Sequence, residues 1–317
     1  MSSTKPLVLL TGGNGFVGAH VLGHLLNAHY RVRATVRSSG KIRFIEKKYA
    51  DQKENLSFII IPDIEAPNAL DEAVKDVEYI CHVASPYFTA TNDPLKELME
   101  PAVNGTRNVI SSALKANKLK RITVLSSFAS VVDLTKNPRA GYVYTDKDWD
   151  PVTWEKGQED GYWGYHASKT FAEKVAWEMH KEHHPSWDLV TFCPPMIYGP
   201  PIHEVHEEKG IAGLNTSLMR LLTGITGTDP AFAPKVSTFG LPAWVDVRNV
   251  ADAHVAALSL PQGANERFLL CGGVDYFEDG LAGLRARGEH GLGEEGAKVD
   301  RQVLRCEEMT INADLNF

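Results

Sequence analysis

The sequence is short of cysteine, of long apolar runs and of positive charge. Its four cysteines, Cys81, Cys193, Cys271 and Cys306, are scattered without a C-x-x-C pair. That argues against a disulfide framework and suits a reducing compartment, so a cytoplasmic location is expected. No apolar stretch approaches the ~18 residues of a membrane span. Met1 to Pro6 lead into only four apolar residues, Leu7 to Leu10, unlike the core of a secretory signal. Lys and Arg number 33 against 40 Asp and Glu, a net charge of −7, so no basic face for nucleic acid is expected. The H-E-x-x-H and G-x-S-x-G patterns are also missing. His203 and His206, with Glu204 and Glu207, fall in a proline-bounded stretch that reads as a solvated charged loop. No metal is expected.

What is present is a rhythm. Strand-length apolar runs (Leu7–Leu10, Arg31–Val36, Leu56–Ile61, Glu78–Val83, Arg121–Leu125, Asp188–Cys193) alternate with amphipathic stretches at Phe16–Ala28, Asn68–Lys75, Pro94–Asn117 and Tyr165–His183. The runs are apolar throughout rather than alternating, as in strands buried on both faces. This predicts an α/β protein, a Rossmann-type doubly wound parallel sheet. After Pro194 the pattern loosens into Pro- and Gly-rich loop, then a helix near Ala212–Thr223, a strand Val236–Phe239, a helix from Val245 to Leu260 and a last strand Arg267–Leu270. Eight of the 25 residues from Gly272 to Gly296 are glycine, poor material for element interiors. The expected division of the 317 residues is a nucleotide-binding domain, 1–194 plus about 240–262, and a smaller mixed substrate lobe, 195–239 and 263–317.

Directly after the first strand comes Thr11-Gly12-Gly13-Asn14-Gly15-Phe16-Val17-Gly18, opening the first helix. Glycines here allow a tight turn and bring backbone N–H groups to a pyrophosphate at the helix N-terminus, so the segment predicts a dinucleotide cradle. An NAD site would place an acid at the end of the second strand, for the ribose 2′-hydroxyl. Arg37 and Lys41 stand there instead, which points to the 2′-phosphate of NADP.

Tyr165 and Lys169 are four apart, so on a helix they share one face. A cation about 4 Å away, at an effective dielectric near 20, stabilises a phenolate by roughly 4 kcal/mol, about 3 pKa units. That suits a tyrosine to general acid catalysis near neutrality. Spacing alone is weak: 10 tyrosines and 19 lysines in 317 residues give about 0.6 such pairs by chance. Tyr49 and Lys53 are a second pair, and they read as a helix surface pair. What separates Tyr165 is its place after the Arg121–Leu125 strand, whose end carries Ser126-Ser127, since doubly wound sheets bind ligands beyond such strand ends.

The T-G-x-x-G-x-x-G segment, the strand-end serine and Y-x-x-x-K together resemble the extended short-chain dehydrogenase/reductase family. His82-Val83-Ala84-Ser85-Pro86, Pro101 to Thr106, Leu125-Ser126-Ser127, Tyr165 to Lys169 and Val245 to His254 are similar to its dihydroflavonol-reductase-like branch, fungal NADPH-dependent aldehyde and ketone reductases included. The resemblance runs from about Leu7 to Leu270. It implies Tyr165 as proton donor, Lys169 as the group that lowers its pKa and holds the nicotinamide ribose, and Ser127, with Ser126 as the alternate, as the group that orients the carbonyl. It implies that Asp63 and Ile64 meet the adenine and that Ala84, Ser85 and Pro86, with Pro194 and Met196, line the way to the nicotinamide. Asn104 is left between a supporting role at the site and a helix-capping one. Two departures stand out. Pro194-Pro195 replaces the family's Asn-Pro, and the chain ends at Glu307–Phe317 where relatives continue into a final helix, so a shortened substrate lobe is expected.

The candidate pocket walls are Phe88 (or Tyr87), Phe128, Tyr162, Trp163, Met196 and Tyr198, and they imply a small apolar or aromatic carbonyl substrate. Only three cations lie between Pro195 and Trp244, few for a sugar-nucleotide diphosphate. The expected function is an NADPH-dependent carbonyl reductase, monomeric or homodimeric. The alternatives are a non-catalytic NADP(H)-binding protein, or a related epimerase/dehydratase or hydroxysteroid-type dehydrogenase.

Overall fold

The computed structural model describes residues 5–86, 91–136, 142–205, 243–274 and 305–306. Seven strands form one sheet: β1 (Leu7–Thr11), β2 (Arg31–Val36), β3 (Leu56–Ile60), β4 (Tyr79–His82), β5 (Arg121–Leu125), β7 (Asp188–Cys193) and β10 (Arg267–Leu269). Their order is β10-β7-β5-β4-β1-β2-β3, with every pairing parallel. The order reverses between β1 and β4, which opens a crevice at their carboxyl ends. β6 (Val143–Tyr144) pairs with β12 (Arg305–Cys306), and β9 (Ala243–Asp246) lies between β8 (Met196–Tyr198) and β11 (Gly273–Val274).

Helices cover both faces. Leu9, Ile80 and Ile122 pack against Val109 and Ile110 of α3 (Glu100–Ala113) and Ala176 of α4 (Gly161–His183). On the other face, Val8, Leu10 and Val32 pack against Val21, Leu22 and Leu25 of α1 (Phe16–Asn27), Ile45 of α2 (Ile42–Lys48) and Ala251 of α5 (Val247–Ala257). Among the described residues no helix is long and apolar enough to cross a membrane.

The structure departs from the sequence-based expectations in local geometry. The helix expected at Asn68–Lys75 is a run of turns, because Asn68 (φ 63°) and Asp76 (φ 62°) sit in the left-handed region and bracket it. Leu70, Ala73, Val74 and Val77 are nevertheless buried. Val245 belongs to β9 rather than to a helix, and α5 starts two residues later, where Asp246 caps it by accepting from the Arg248 N–H at 2.8 Å. The helix of this stretch, α2, ends at Lys48, before the Tyr49–Lys53 pair that the spacing places on it. Tyr49, expected in a helix surface pair, instead sits at the C-cap of α2, is half-buried against the core and lays its hydroxyl over Gly23 of α1. Arg267–Leu269, assigned to the smaller lobe, is instead the edge strand of the main sheet. The elements expected at 212–223 and 236–239, and nearly all of 275–317, lie outside the described residues.

A buried cation braces the amino ends of β5 and β7. Arg121 starts β5, donates to Asp188 Oδ2 of β7 at 2.8 Å, and bonds the Ala257 and Leu260 carbonyls at the end of α5. Arg121→Met would leave the Ala257 carbonyl without its donor, while the Leu260 carbonyl keeps the Gly263 N–H, and would cost about 1–3 kcal/mol for the buried unsatisfied group. Urea unfolding is expected to show a stability loss of about 2–4 kcal/mol; a loss under about 0.5 kcal/mol, typical of surface substitutions, would contradict this bracing role.

Candidate active site

The crevice is built first by sterics. Gly12 follows β1 with φ +74°, and a Cβ there would lie 2.9 Å from the Ala84 nitrogen beyond β4. A Cβ on Gly18 would come within 2.0 Å of the Gly12 carbonyl oxygen. The turn is therefore closed to any side chain at either position. Gly15 donates to Gly12 O at 3.0 Å and starts α1 in extended conformation, with no side-chain cap and no acid in the first turn. The first N–H groups of α1 keep their donors and the helix its positive end, an arrangement that fits a pyrophosphate. Asn14, Phe16 and Val17 are partly exposed along it.

Thr11, expected among the cofactor contacts, has its side chain wholly buried. Its hydroxyl pairs with His82 Nδ1 at 2.8 Å and accepts from the Val83 and Ala84 N–H groups, each at 3.1 Å. It locks the ends of β1 and β4 together instead of facing a ligand. Beyond the ends of β2 and β3, Arg37 is exposed, and Lys41 pairs with Glu204 at 3.1 Å. Glu204 lies in a segment laid over the cradle's flank: Pro200 O meets His20 Nε2 at 2.9 Å, Ile202 O accepts from Lys48 at 2.6 Å, and the His203 ring meets Phe16 edge-on. His206 lies outside the described residues, and among those described no group of three His, Cys, Asp or Glu could hold a metal.

Asp63 and Ile64 follow β3. Asp63 accepts from the Glu65 N–H at 2.8 Å, and Ile64 packs over Gly105 of α3. Asn108, not foreseen from the sequence, donates to the Ile64 and Ala66 carbonyls at 2.8 and 3.1 Å and fixes this loop. Asn104 lies within α3, not at its cap, and its amide reaches Glu65 at 3.4 Å. Ala84, Ser85 and Pro86 are half-buried beyond β4.

At the end of β5 the two serines separate. Ser126 Oγ donates to buried Glu173 at 2.6 Å. Ser127 Oγ accepts from the Ala129 N–H at 3.1 Å and from the Tyr165 hydroxyl at 3.3 Å. α4 begins earlier than expected, because Asp160 caps it by accepting from Tyr162 and Trp163 N–H at 2.8 and 2.9 Å. Tyr165 thus sits in the second turn. Lys169, one turn on, lies 5.8 Å from the Tyr165 ring centre. Burial lowers the pKa of Lys169 to about 8, opposed by the charge of Glu173. Nearby His82 is held to about 4, by burial first and then by the Lys169 charge, so it is neutral at pH 7.

The proposed substrate walls fare unevenly. Phe128 is buried in a cluster with Val131, Val132, Tyr144 and Leu269, so it belongs to the core. It turns inward because its N–H bonds Pro194 O at 2.8 Å, and its ring meets Tyr144 edge-on. Tyr162, Trp163, Met196 and Tyr198 are partly exposed, and Pro194 is buried. Tyr87 and Phe88 lie outside the described residues.

Against known proteins, residues 8–271 match the model of the NAD dependent epimerase/dehydratase family. The chain is 42% identical over 274 residues to an uncharacterized oxidoreductase of Schizosaccharomyces pombe, covering 84% of this chain and 78% of that one. It is 36% identical over 279 residues to a ketoreductase of Aspergillus niger, covering 86% and 80%. Among solved structures, the yeast methylglyoxal/isovaleraldehyde reductase complexed with NADPH superposes with TM-score 0.82 at 26% identity, covering 95% of this chain and 90% of that one.

Neutral burial of His82 has a consequence for stability. The unfolded chain takes up its proton near 6.5 while the folded protein resists until about 4. Stability is therefore complete above pH 6.5 and is lost as pH falls toward 4, by roughly 3 kcal/mol from this residue. Urea unfolding at pH 7 and pH 4.5 is expected to show a smaller acid loss in His82→Gln than in the parent; equal losses would refute it.

Proposed function

From the premise that the chain belongs to the NAD dependent epimerase/dehydratase family, we propose that it is an NADPH-dependent carbonyl reductase acting on aldehydes or ketones. The observation that carries this reading is the convergence of Ser127, Tyr165 and Lys169 at the open ends of β5 and α4. The two bonds accepted by Ser127 Oγ engage its lone pairs and leave its own O–H as a donor for a substrate carbonyl oxygen. Tyr165 then lies within reach to pass its phenolic proton to that oxygen. Below about pH 8 Lys169 is an ammonium beside the ring. At 5.8 Å and an effective dielectric near 20 it stabilises the resulting phenolate by roughly 3 kcal/mol. No metal is needed for the step.

The residues that would hold the dinucleotide are Gly12, Asn14, Gly15, Phe16, Val17 and Gly18 at the pyrophosphate and Arg37 with Lys41 at the 2′-phosphate. Asp63 and Ile64 would hold the adenine. Ala84, Ser85, Pro86, Pro194, Met196 and Lys169 would line the way to the nicotinamide. NADPH, when bound, supplies the hydride. The reductase similarity and the NADPH complex of a structural neighbour support this choice of cofactor. Tyr162, Trp163, Met196 and Tyr198 favour an apolar or aromatic carbonyl compound.

The test is NADPH consumption with a panel of aldehydes, ketones and diketones. Tyr165→Phe is expected to lower kcat by about 10²–10⁴-fold, the contribution of a positioned acid, while the Kd for NADPH stays within about threefold. A fully active variant would refute the mechanism, and tight NADPH binding without turnover of any carbonyl would favour a non-catalytic binding protein. For the cofactor, Arg37→Ala is expected to weaken NADPH binding at least tenfold more than NADH binding, read by calorimetry; equal losses would remove Arg37 from the 2′-phosphate.

A further inference from the structure

Glu173 is the most heavily bonded side chain near the site, and the reductase reading gives it no role. It lies on α4 one turn beyond Lys169 and two beyond Tyr165, so all three share a face. Its side chain is fully buried. One oxygen accepts from Ser126 Oγ and Ser130 Oγ, each at 2.6 Å. The other accepts from Thr191 Oγ1 of β7 at 2.7 Å and Arg267 Nε of β10 at 2.8 Å.

Two of these partners lead back to the site. Ser126 is the backbone neighbour of Ser127, and the Ser130 N–H donates to the Ser127 carbonyl oxygen at 2.9 Å, so the short turn carrying Ser127 is tied to α4 through this carboxylate. Arg267 is itself fixed, with its guanidinium plane 3.9 Å from the Trp149 ring centre and its Nη1 bonding the Asp146 and Asp148 carbonyls. The carboxylate therefore cannot shift without moving β5, β7, β10 and α4 against one another.

We propose that Glu173 is a positioning residue. It holds Ser127 in register with Tyr165, and it presents to Lys169 the negative charge that keeps the ammonium protonated. The proposal rests on the reductase reading for its catalytic consequence. The groups around this part of the interior leave the charge assignment clear. From β4, His82 is neutral, and from β7, the Cys193 thiol is pushed far up by burial, so it too is neutral. Tyr165 faces Lys169 from the same helix. Arg267, from β10, is the one countercharge bonded to Glu173 among the described residues, and its bonds hold the Glu173 carboxyl below the ordinary range despite burial.

Two variants separate tether from charge. Glu173→Gln keeps the shape and removes the charge. The amine of Lys169, followed through pH by 15N NMR and assigned by its loss in Lys169→Arg, is expected to titrate about one unit lower than in the parent. The alkaline limb of kcat/KM is expected to move down with it, with NADPH Kd within about threefold. A variant that melts earlier but keeps the parent's titration and pH profile would show a merely structural role and overturn the charge assignment. Ser130→Ala keeps the charge, loosens the tether together with one bond from Arg267, and carries the test if Glu173→Gln does not fold. Its kcat is expected to fall at least fivefold with the alkaline limb and the Lys169 titration in place; parent-like kcat would overturn the positioning role. The NMR titration needs no turnover, so a parent that reduced no carbonyl would count against the reductase reading alone.

Discussion

A buried carboxylate can be held in a protein interior only if nearly every lone pair is answered. Glu173 meets that demand with donors from the end of β5, from β7 and from β10. Desolvating the Glu173–Arg267 pair costs several kcal/mol per ion, so the arrangement persists only while all of its bonds are made together. That condition makes it a constraint on geometry more than a source of stability. It sets the rotation of α4 about its axis, and with it where Tyr165 and Lys169 point. The Ser126–Ser130 turn is held by the same atoms, so serine and tyrosine are located from one origin rather than independently.

A second constraint acts at the other half of the crevice and is purely steric. The approach of Gly12 to Ala84 and of Gly18 to the Gly12 carbonyl brings β1, β4 and α1 closer than any side chain would allow. Thr11 then welds the strand ends with one hydroxyl shared among His82 and two backbone N–H groups. The nucleotide side is shaped by what is missing, Cβ atoms and caps. The chemical side is shaped by what is bonded. The parallel sheet keeps the two at a fixed separation because both grow from its carboxyl edge.

Much of this was legible in the sequence because the informative residues are close together in it. The cradle occupies Thr11 to Gly18, and its glycines follow from local sterics. Tyr165 and Lys169 are one helical turn apart, and the buried strands announce themselves as apolar runs. What stayed hidden depends on distant partners. Nothing local marks Glu173 on its helix, because Thr191 and Arg267 lie 18 and 94 positions away. Phe128, next to the serine, looked like a pocket wall until Pro194 and Tyr144 turned it inward. Asn108 had no local signal, since the carbonyls it bonds belong to a loop 42 and 44 positions earlier. Arg267–Leu269 seemed part of a second lobe because chain order says nothing about which sheet edge accepts a late strand.

The pairing of Lys41 with Glu204 changes what ionic strength can do at the basic flank. A lone surface lysine offers an arriving anion its whole attraction, weakened only by the screening of the salt around it. Lys41 carries its counterion covalently, on the segment of Pro200 to Glu204 that also rests on Lys48 and His20. An anion reaching Lys41 trades one carboxylate for another negative group and frees little from solution. Salt screens both attractions together. An anion drawn to this flank would therefore gain less from Lys41, already paired, than from the exposed Arg37.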